Sequence, residues 1–277
     1  MVRVIDPNVN LRTLDVIENH FPFPWFRPPE AGLETHREID EVVADMDAAG
    51  VEKGMLSCST SAHWRRRVPP EKVAPIIEKY PDRFIAGAVG VDPYKGMASV
   101  RELEMWVKDY GFKSAHFFPH WLELPPDDAR YYPFYAKCVE LDIPVMMQIC
   151  PPGRTLRIQA RPENVEKVAV DFGELRVIGL HLGVPWLEEY MMLLQKQPNL
   201  YMTTSYFPTK NWDPKFTNFV NTVGQDKIIY DFASPTASGT MKEAIDGIMG
   251  QPLDESVKNK VLRQNANKVF KLGLPAD

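Results

Sequence analysis

Several short stretches of this 277-residue chain carry side chains that can move protons or grip anions. Asp6-Pro7-Asn8-Val9-Asn10 follows an apolar start, and period-two alternation in extended backbone puts Asp6, Asn8 and Asn10 on one side. Such polar groups suit a solvated mouth better than an apolar layer, although the same cluster also suits an Asx turn. Ser114-Ala115-His116-Phe117-Phe118-Pro119-His120 offers two imidazoles, each with a plain structural role open to it. Met147-Gln148-Ile149-Cys150 runs into Pro-Pro-Gly-Arg154. Leu180-His181-Leu182-Gly183, Thr203-Thr204-Ser205-Tyr206 and Tyr230-Asp231-Phe232-Ala233-Ser234-Pro235 complete the set. A buried carboxylate beside a histidine orients the ring and raises its pKa, which suits general acid or base work. Asp6, His181 and Asp231 are expected to converge in this way, with a structural hydrogen-bond network as the alternative.

Anion binding has its own candidates. Ser59-Thr60-Ser61-Ala62-His63-Trp64-Arg65-Arg66-Arg67 sets three arginines beside a tryptophan. Guanidinium groups fork carboxylates and stack on rings, so Arg65 and its neighbours, or Arg154, can clamp a carboxylated aromatic. A solvated basic patch is the plainer role. Tyr206, Trp121 and Trp186 are suited to walling an apolar pocket or to ordinary packing.

The elements that would position these residues alternate regularly. Apolar runs predict strands over 2–5, 53–58, 84–91, 113–118, 144–149, 176–180, 200–204 and 227–230. Helical spacing predicts helices over 35–49, 70–80, 99–110, 130–141, 162–172, 186–197 and 215–223, and two more near 240–249 and 255–270. Eight β-α units in a chain of this length imply a closed (β/α)8 TIM barrel occupying residues 1–277 as one domain, with the last helices packed outside it. An open doubly wound sheet would want a glycine-rich phosphate turn after the first strand, where this chain has Asp-Pro-Asn-Val-Asn. In such barrels chemistry sits at the C-terminal strand ends, which is where the residues above fall.

Composition narrows the function classes. Hydrophobic residues make up 44% and charged residues 25%, so the chain can bury a core. The formal net charge of −5 gives no drive toward nucleic acid or anionic membrane. No apolar run is long enough to span a bilayer, and the N-terminus lacks a secretory pattern. Three widely spaced cysteines make neither a disulfide framework nor a zinc knuckle, which fits a reducing, cytoplasmic compartment. Twenty-five prolines predict long, shaped loops. The segment Pro-Phe-Pro-Trp-Phe-Arg-Pro-Pro over 22–29 concentrates aromatics outside any regular strand. Its exposed rings predict a homodimer or larger homo-oligomer, with a lid over the mouth as the alternative.

The order of several motifs resembles the amidohydrolase-related family of metal-dependent barrel hydrolases and decarboxylases. They are YPDRFIAGAVGVDP, FYAKCVELDIPVMMQ, HLGVPW, DKIIYDFASP and the closing VLRQNANKVFKL, together with the frame starting at Asp6. The resemblance implies the barrel, a small carboxylated aromatic or lactone-like substrate, and dimers. It also implies a metal set that this chain has lost. The family's Asp-x-His-x-His becomes Asp6-x-Asn8-x-Asn10, its strand-5 histidine becomes Gln148, and its strand-8 aspartate becomes Ala233. Only the strand-6 histidine persists, as His181. Amides are poor zinc ligands and alanine is none. The expectation is therefore no catalytic zinc and no other cofactor, with a hard ion on Asp6 or Asp231 the weaker alternative.

The resulting expectation is a metal-independent enzyme that hydrolyses or decarboxylates a small anionic substrate. His181 would do acid–base chemistry, helped by Asp231 and Asp6. Asn8, Asn10, Gln148, His116, Arg154, Arg65 and Tyr206 would contact substrate. The rival is an inactive barrel that binds a small molecule or a protein.

Overall fold

The computed structural model describes residues 3–11, 38–60, 68–150, 157–233 and 239–275. Arg65, Arg154 and the aromatic segment 22–29 lie outside the described residues.

Eight strands form one sheet in chain order with every neighbour parallel. They are β1 (Val4–Asn10), β2 (Val51–Ser57), β3 (Phe84–Gly90), β4 (Ser114–Phe117), β5 (Val145–Gln148), β6 (Val177–Leu180), β7 (Leu200–Thr203) and β8 (Ile228–Ile229). A parallel bridge between Val9 and Ala233 joins the last strand's continuation to β1 and closes the ring. β1 is not a regular ribbon, because its register against β2 slips between Asp6 and Val9. Simple alternation therefore does not place its polar residues, and their partners do.

The helices between strands are α1 (Ile39–Ala49), α2 (Pro70–Lys79), α3 (Met97–Tyr110), α4 (Pro119–Leu122), α5 (Tyr132–Glu140), α6 (Pro162–Asp171), α7 (Leu187–Lys196) and α8 (Pro214–Asn221). Pro70, Pro162 and Pro214 each open a helix, where a missing N–H costs nothing and the fixed φ suits the first turn. Part of the proline excess is thus helix starts rather than loops. Gly50 and Gly111 stop α1 and α3 at φ 74° and 70°, a conformation that costs glycine little. The short α4 was not legible in the sequence, and it carries His120 off the end of β4.

Burial divides into two shells. Val73, Leu103, Phe134, Val165, Tyr190 and Phe216 belong to the layer between strands and helices. Ile5, Met55, Ala86, Met146, Ile178 and Ile229 fill the barrel itself. Ala266, Val269 and Phe270 join that inner group, which corrects the expectation that the closing helices pack only outside. Beyond α9 (Met241–Met249), the chain runs through α10 (Glu255–Asn259), one π turn at Lys260–Gln264 and α11 (Asn265–Val269). This last segment stoppers the N-terminal end of the barrel. Arg263, buried within it, pairs with Glu52 at the start of β2. The carbonyl of Val261 takes the N–H of Tyr230 at 2.8 Å. That bond draws Tyr230 out of the ladder and leaves β8 two residues long, shorter than its sequence predicts.

Candidate active site

The opposite, C-terminal end holds the polar residues, and they are joined strand to strand. The Ser57 hydroxyl, on β2, donates to Asn8 Oδ1 at 2.6 Å, on β1. The Asn8 amide donates to Asp231 Oδ2, just past β8, at 2.9 Å. Ser205 Oγ, just past β7, donates to the same Oδ2 at 2.7 Å. His181 Nδ1, just past β6, lies 2.7 Å from Ser205 Oγ. Five consecutive strands of the ring each contribute one side chain to this belt. The Ser205 backbone N–H adds a bond to Asp231 Oδ1 at 2.7 Å, and Thr203 contributes its hydroxyl. Asp6 lies alongside, its two oxygens accepting from the backbone N–H of Asn8 at 3.0 Å and of Phe232 at 3.3 Å. The Asn10 amide reaches the Ala233 carbonyl at 2.5 Å.

Backbone strain gathers at the same place. His181, Leu182, Tyr206 and Ala233 all have positive φ, between 53° and 70°. For non-glycine residues this costs about 1–2 kcal/mol each, and such strain clusters where function fixes geometry.

The electrostatics follow from burial. Asp6 and Asp231 are fully enclosed, and the Asp6 carboxyl is pushed up to about 7 by desolvation, then by the neighbouring Asp231 charge. Burial also raises Asp231, against the pull of its bonds from Asn8 and Ser205. His181 is pushed down to about 3, first by burial and then by the imidazoles of His116 and His120. The expectation that a carboxylate would raise His181 is therefore corrected. Asp231 acts on it only through an intervening hydroxyl, and desolvation wins.

Across the mouth, His116 is also buried and driven to about 3 by desolvation. Neither of its ring nitrogens has a hydrogen bond of good geometry. Its ring packs on Phe118 with centroids 4.1 Å apart. Tyr206 meets His181 edge to face at 4.6 Å and remains 39% exposed, so it stands at the rim. Gln148 ends β5, half-buried. The structure thus joins Asp6, Asn8, Asp231 and His181 in one network, with Asn10 beside its seam, while His116 is buried against Phe118 and Gln148 and Tyr206 stand outside the network. Sequence reasoning missed Ser57, Thr203 and Ser205 as members.

The residues at the family's metal positions do not fit a transition metal. Both amide atoms of Asn8 are engaged, the Asn10 amide nitrogen is bonded to Ala233, and Ala233 offers no donor side chain. Among the described residues no group of three His, Cys, Asp or Glu is arranged to hold an ion. At the carboxylates named for a hard ion, all four oxygens of Asp6 and Asp231 accept hydrogen bonds from the protein.

Known proteins give the fold and family. A 2-keto-4-carboxy-3-hexenedioate hydratase of Sphingobium sp. (strain NBRC 103272 / SYK-6) is 34% identical over 85 residues, which span 28% of this chain and 25% of that protein. An uncharacterized TIM-barrel protein of Bordetella bronchiseptica superposes with a TM-score of 0.81 at 23% identity, covering 97% of this chain and 98% of that one. A dihydroxybenzoic acid decarboxylase of Polaromonas sp. JS666, solved with bound manganese and 2-nitroresorcinol, gives 0.71 at 19% identity, covering 99% and 98%. A 5-carboxyvanillate decarboxylase of Sphingomonas paucimobilis gives 0.69 at 18% identity, covering 98% and 99%. At these identities the solved structures establish the barrel and nothing finer. The profile described as amidohydrolase matches residues 17–272, nearly the whole chain, and the chain belongs to that family.

Proposed function

We propose that this chain is an enzyme that hydrolyses or decarboxylates a small carboxylated substrate, aromatic or lactone-like, without a catalytic transition metal. One observation carries the reading. Asn8, at a position where the resemblance implies a metal histidine, is locked between Ser57 and Asp231, and the surviving His181 is tied into the same belt. The polar site is thus retained and internally satisfied, but by hydrogen bonds instead of a metal. His181 supplies the acid–base chemistry, with Asp231 orienting it and Asp6 supporting the network. His116, Gln148 and Tyr206 contact substrate, while Asn10 fixes the rim. Arg65 and Arg154 hold the substrate's anion, a role that rests on their chemistry and sequence positions. The two decarboxylases of this fold are named for carboxylated aromatics, dihydroxybenzoic acid and 5-carboxyvanillate.

The test is turnover in metal-free buffer of a panel that includes a carboxylated dihydrocoumarin and 2,6-dihydroxybenzoate, with wild type and His181→Gln. The reading expects turnover by the wild type, its collapse in the variant, and a nearly unchanged thermal midpoint. Tight ligand binding without turnover supports the rival, a binding barrel. Activity that tracks stoichiometric metal overturns the metal-free chemistry. The same reading places the protein as a cytoplasmic homodimer, its three cysteines free. Light scattering at micromolar concentration that gives the mass of one chain rejects the dimer.

A further inference from the structure

The belt has a direction. Asp231 can only accept from the Ser205 backbone N–H and from the Asn8 amide. The Asn8 amide is held in that sense because its oxygen takes the Ser57 hydroxyl. With those donors fixed on it, Asp231 is the ionised member of the two buried carboxylates, and the Ser205 hydroxyl gives its one proton to Oδ2. Toward His181 the same oxygen presents a lone pair, so Nδ1 must carry the ring hydrogen. A neutral imidazole has one N–H, and Nε2 is therefore bare.

From this arrangement we infer that Ser205 is a positioning residue that holds His181 as a base, and that the site is built to take a proton from water rather than to deliver one to carbon. The inference rests on the functional reading above and selects hydrolysis over decarboxylation within it. Decarboxylation leaves a carbanion that an acid must protonate. His181 has no proton on Nε2 to give. The groups around it are His116 from β4, His120 from α4, Tyr206 past β7, and Asp231 behind Ser205. Asp6 holds a proton near neutrality, but both its oxygens are bound to backbone amides rather than turned to the mouth. In hydrolysis the accounts close without an outside acid. The water oxygen bonds to the substrate's carbonyl carbon as one water proton passes to Nε2. The carbon–oxygen bond of the ester or lactone then breaks, and the departing oxygen takes that proton back. The imidazolium formed in between donates from Nδ1 to Ser205 and is balanced by the Asp231 charge, as in other base–carboxylate pairs.

Nuclear magnetic resonance of the intact protein, labelled with 15N histidine and free of substrate, reads this directly. His181 is assigned by its absence in His181→Gln. Wild type is expected to show the Nδ1–H tautomer at neutral pH. Ser205→Ala should lose that bias, and Ser205→Thr, which keeps the hydroxyl, should restore it. A wild-type His181 that is Nε2-protonated or an imidazolium overturns the inference, as does a tautomer unmoved by Ser205→Ala. Where the protein turns over either probe, hydrolysis of the carboxylated dihydrocoumarin with a roughly 100-fold kcat loss in Ser205→Ala supports it. Release of carbon dioxide from 2,6-dihydroxybenzoate overturns it. A protein with the expected tautomer and no turnover counts against the functional reading alone.

Discussion

The side-chain amide of Asn8 lies 2.9 Å from Asp231 Oδ2, across the seam where the first and last strands meet. The two residues are 223 positions apart in the chain, so this bond exists only once the ring has closed. It also gives Asp231 one of the donors that let a buried carboxylate stay charged.

Asn8→Ala removes that donor and leaves the Ser57 hydroxyl without its acceptor. The expected cost is about 1–3 kcal/mol, the usual penalty for stranding a buried polar group. Urea unfolding should show a lower midpoint with an unchanged slope. An unchanged midpoint would mean the seam does not depend on this bond.

Stability should depend on pH through opposing groups. The Asp6 carboxyl rises from 3.8 to about 7 on folding, so the folded state binds the extra proton and Asp6 favours folding less as pH climbs through that window. His116 and His181 fall from 6.5 to about 3, so their contribution is present above the unfolded value and lost as pH falls below it. Between about pH 4 and 6 the histidines favour folding with rising pH, and Asp6 works against them. Asp6→Asn should therefore steepen the rise, by at most about 1.4 kcal/mol per pH unit. Parallel wild-type and variant profiles in chemical denaturation would refute the Asp6 assignment.

Prolonged dialysis against dipicolinate should leave turnover unchanged and yield protein without stoichiometric transition metal. Asn8 and Asn10 are amides already bonded to protein and Ala233 has no donor, so only Gln148 and His181 remain at the family's metal positions, too few to compete with the chelator. Loss of activity on dialysis, recovered by adding manganese or zinc, is the contrary result.

Gly87 on β3 faces the buried ring of Phe112, and a Cβ there would come within 2.2 Å of it. Gly87→Ala should cost about 1–3 kcal/mol through overpacking. Because Gly87 lies away from the belt, the His181 tautomer should be unaffected. A stable variant with wild-type melting behaviour would show that the ring can move aside.

The eightfold alternation was legible because helix and strand periods are written locally. The belt was legible only in part. Asp6, Asn8, His181 and Asp231 stand out by residue type at strand ends. Ser57 and Ser205 do not, because short hydroxyl residues at strand ends look like ordinary turn formers. Their partners lie 49 and 26 residues away, so no local spacing marks them. The two-residue β8 and the stoppering α11 were hidden for a related reason. A π turn and a carbonyl from the closing helix take over bonds that a strand pattern would assign to the sheet.

The shortness of β8 has a consequence for how the protein comes apart. Its ladder to β7 holds only two residue pairs, and its continuation meets β1 through the Val9–Ala233 bridge and the side chains of Asp6, Asn8 and Asn10. The same bonds that set the charge on Asp231 are thus the latch of the barrel. Opening the latch dismantles the proton relay before the remaining strands part. Activity and the hydrogen-exchange protection of the Phe232 and Ser205 amides should therefore fade together, ahead of global unfolding.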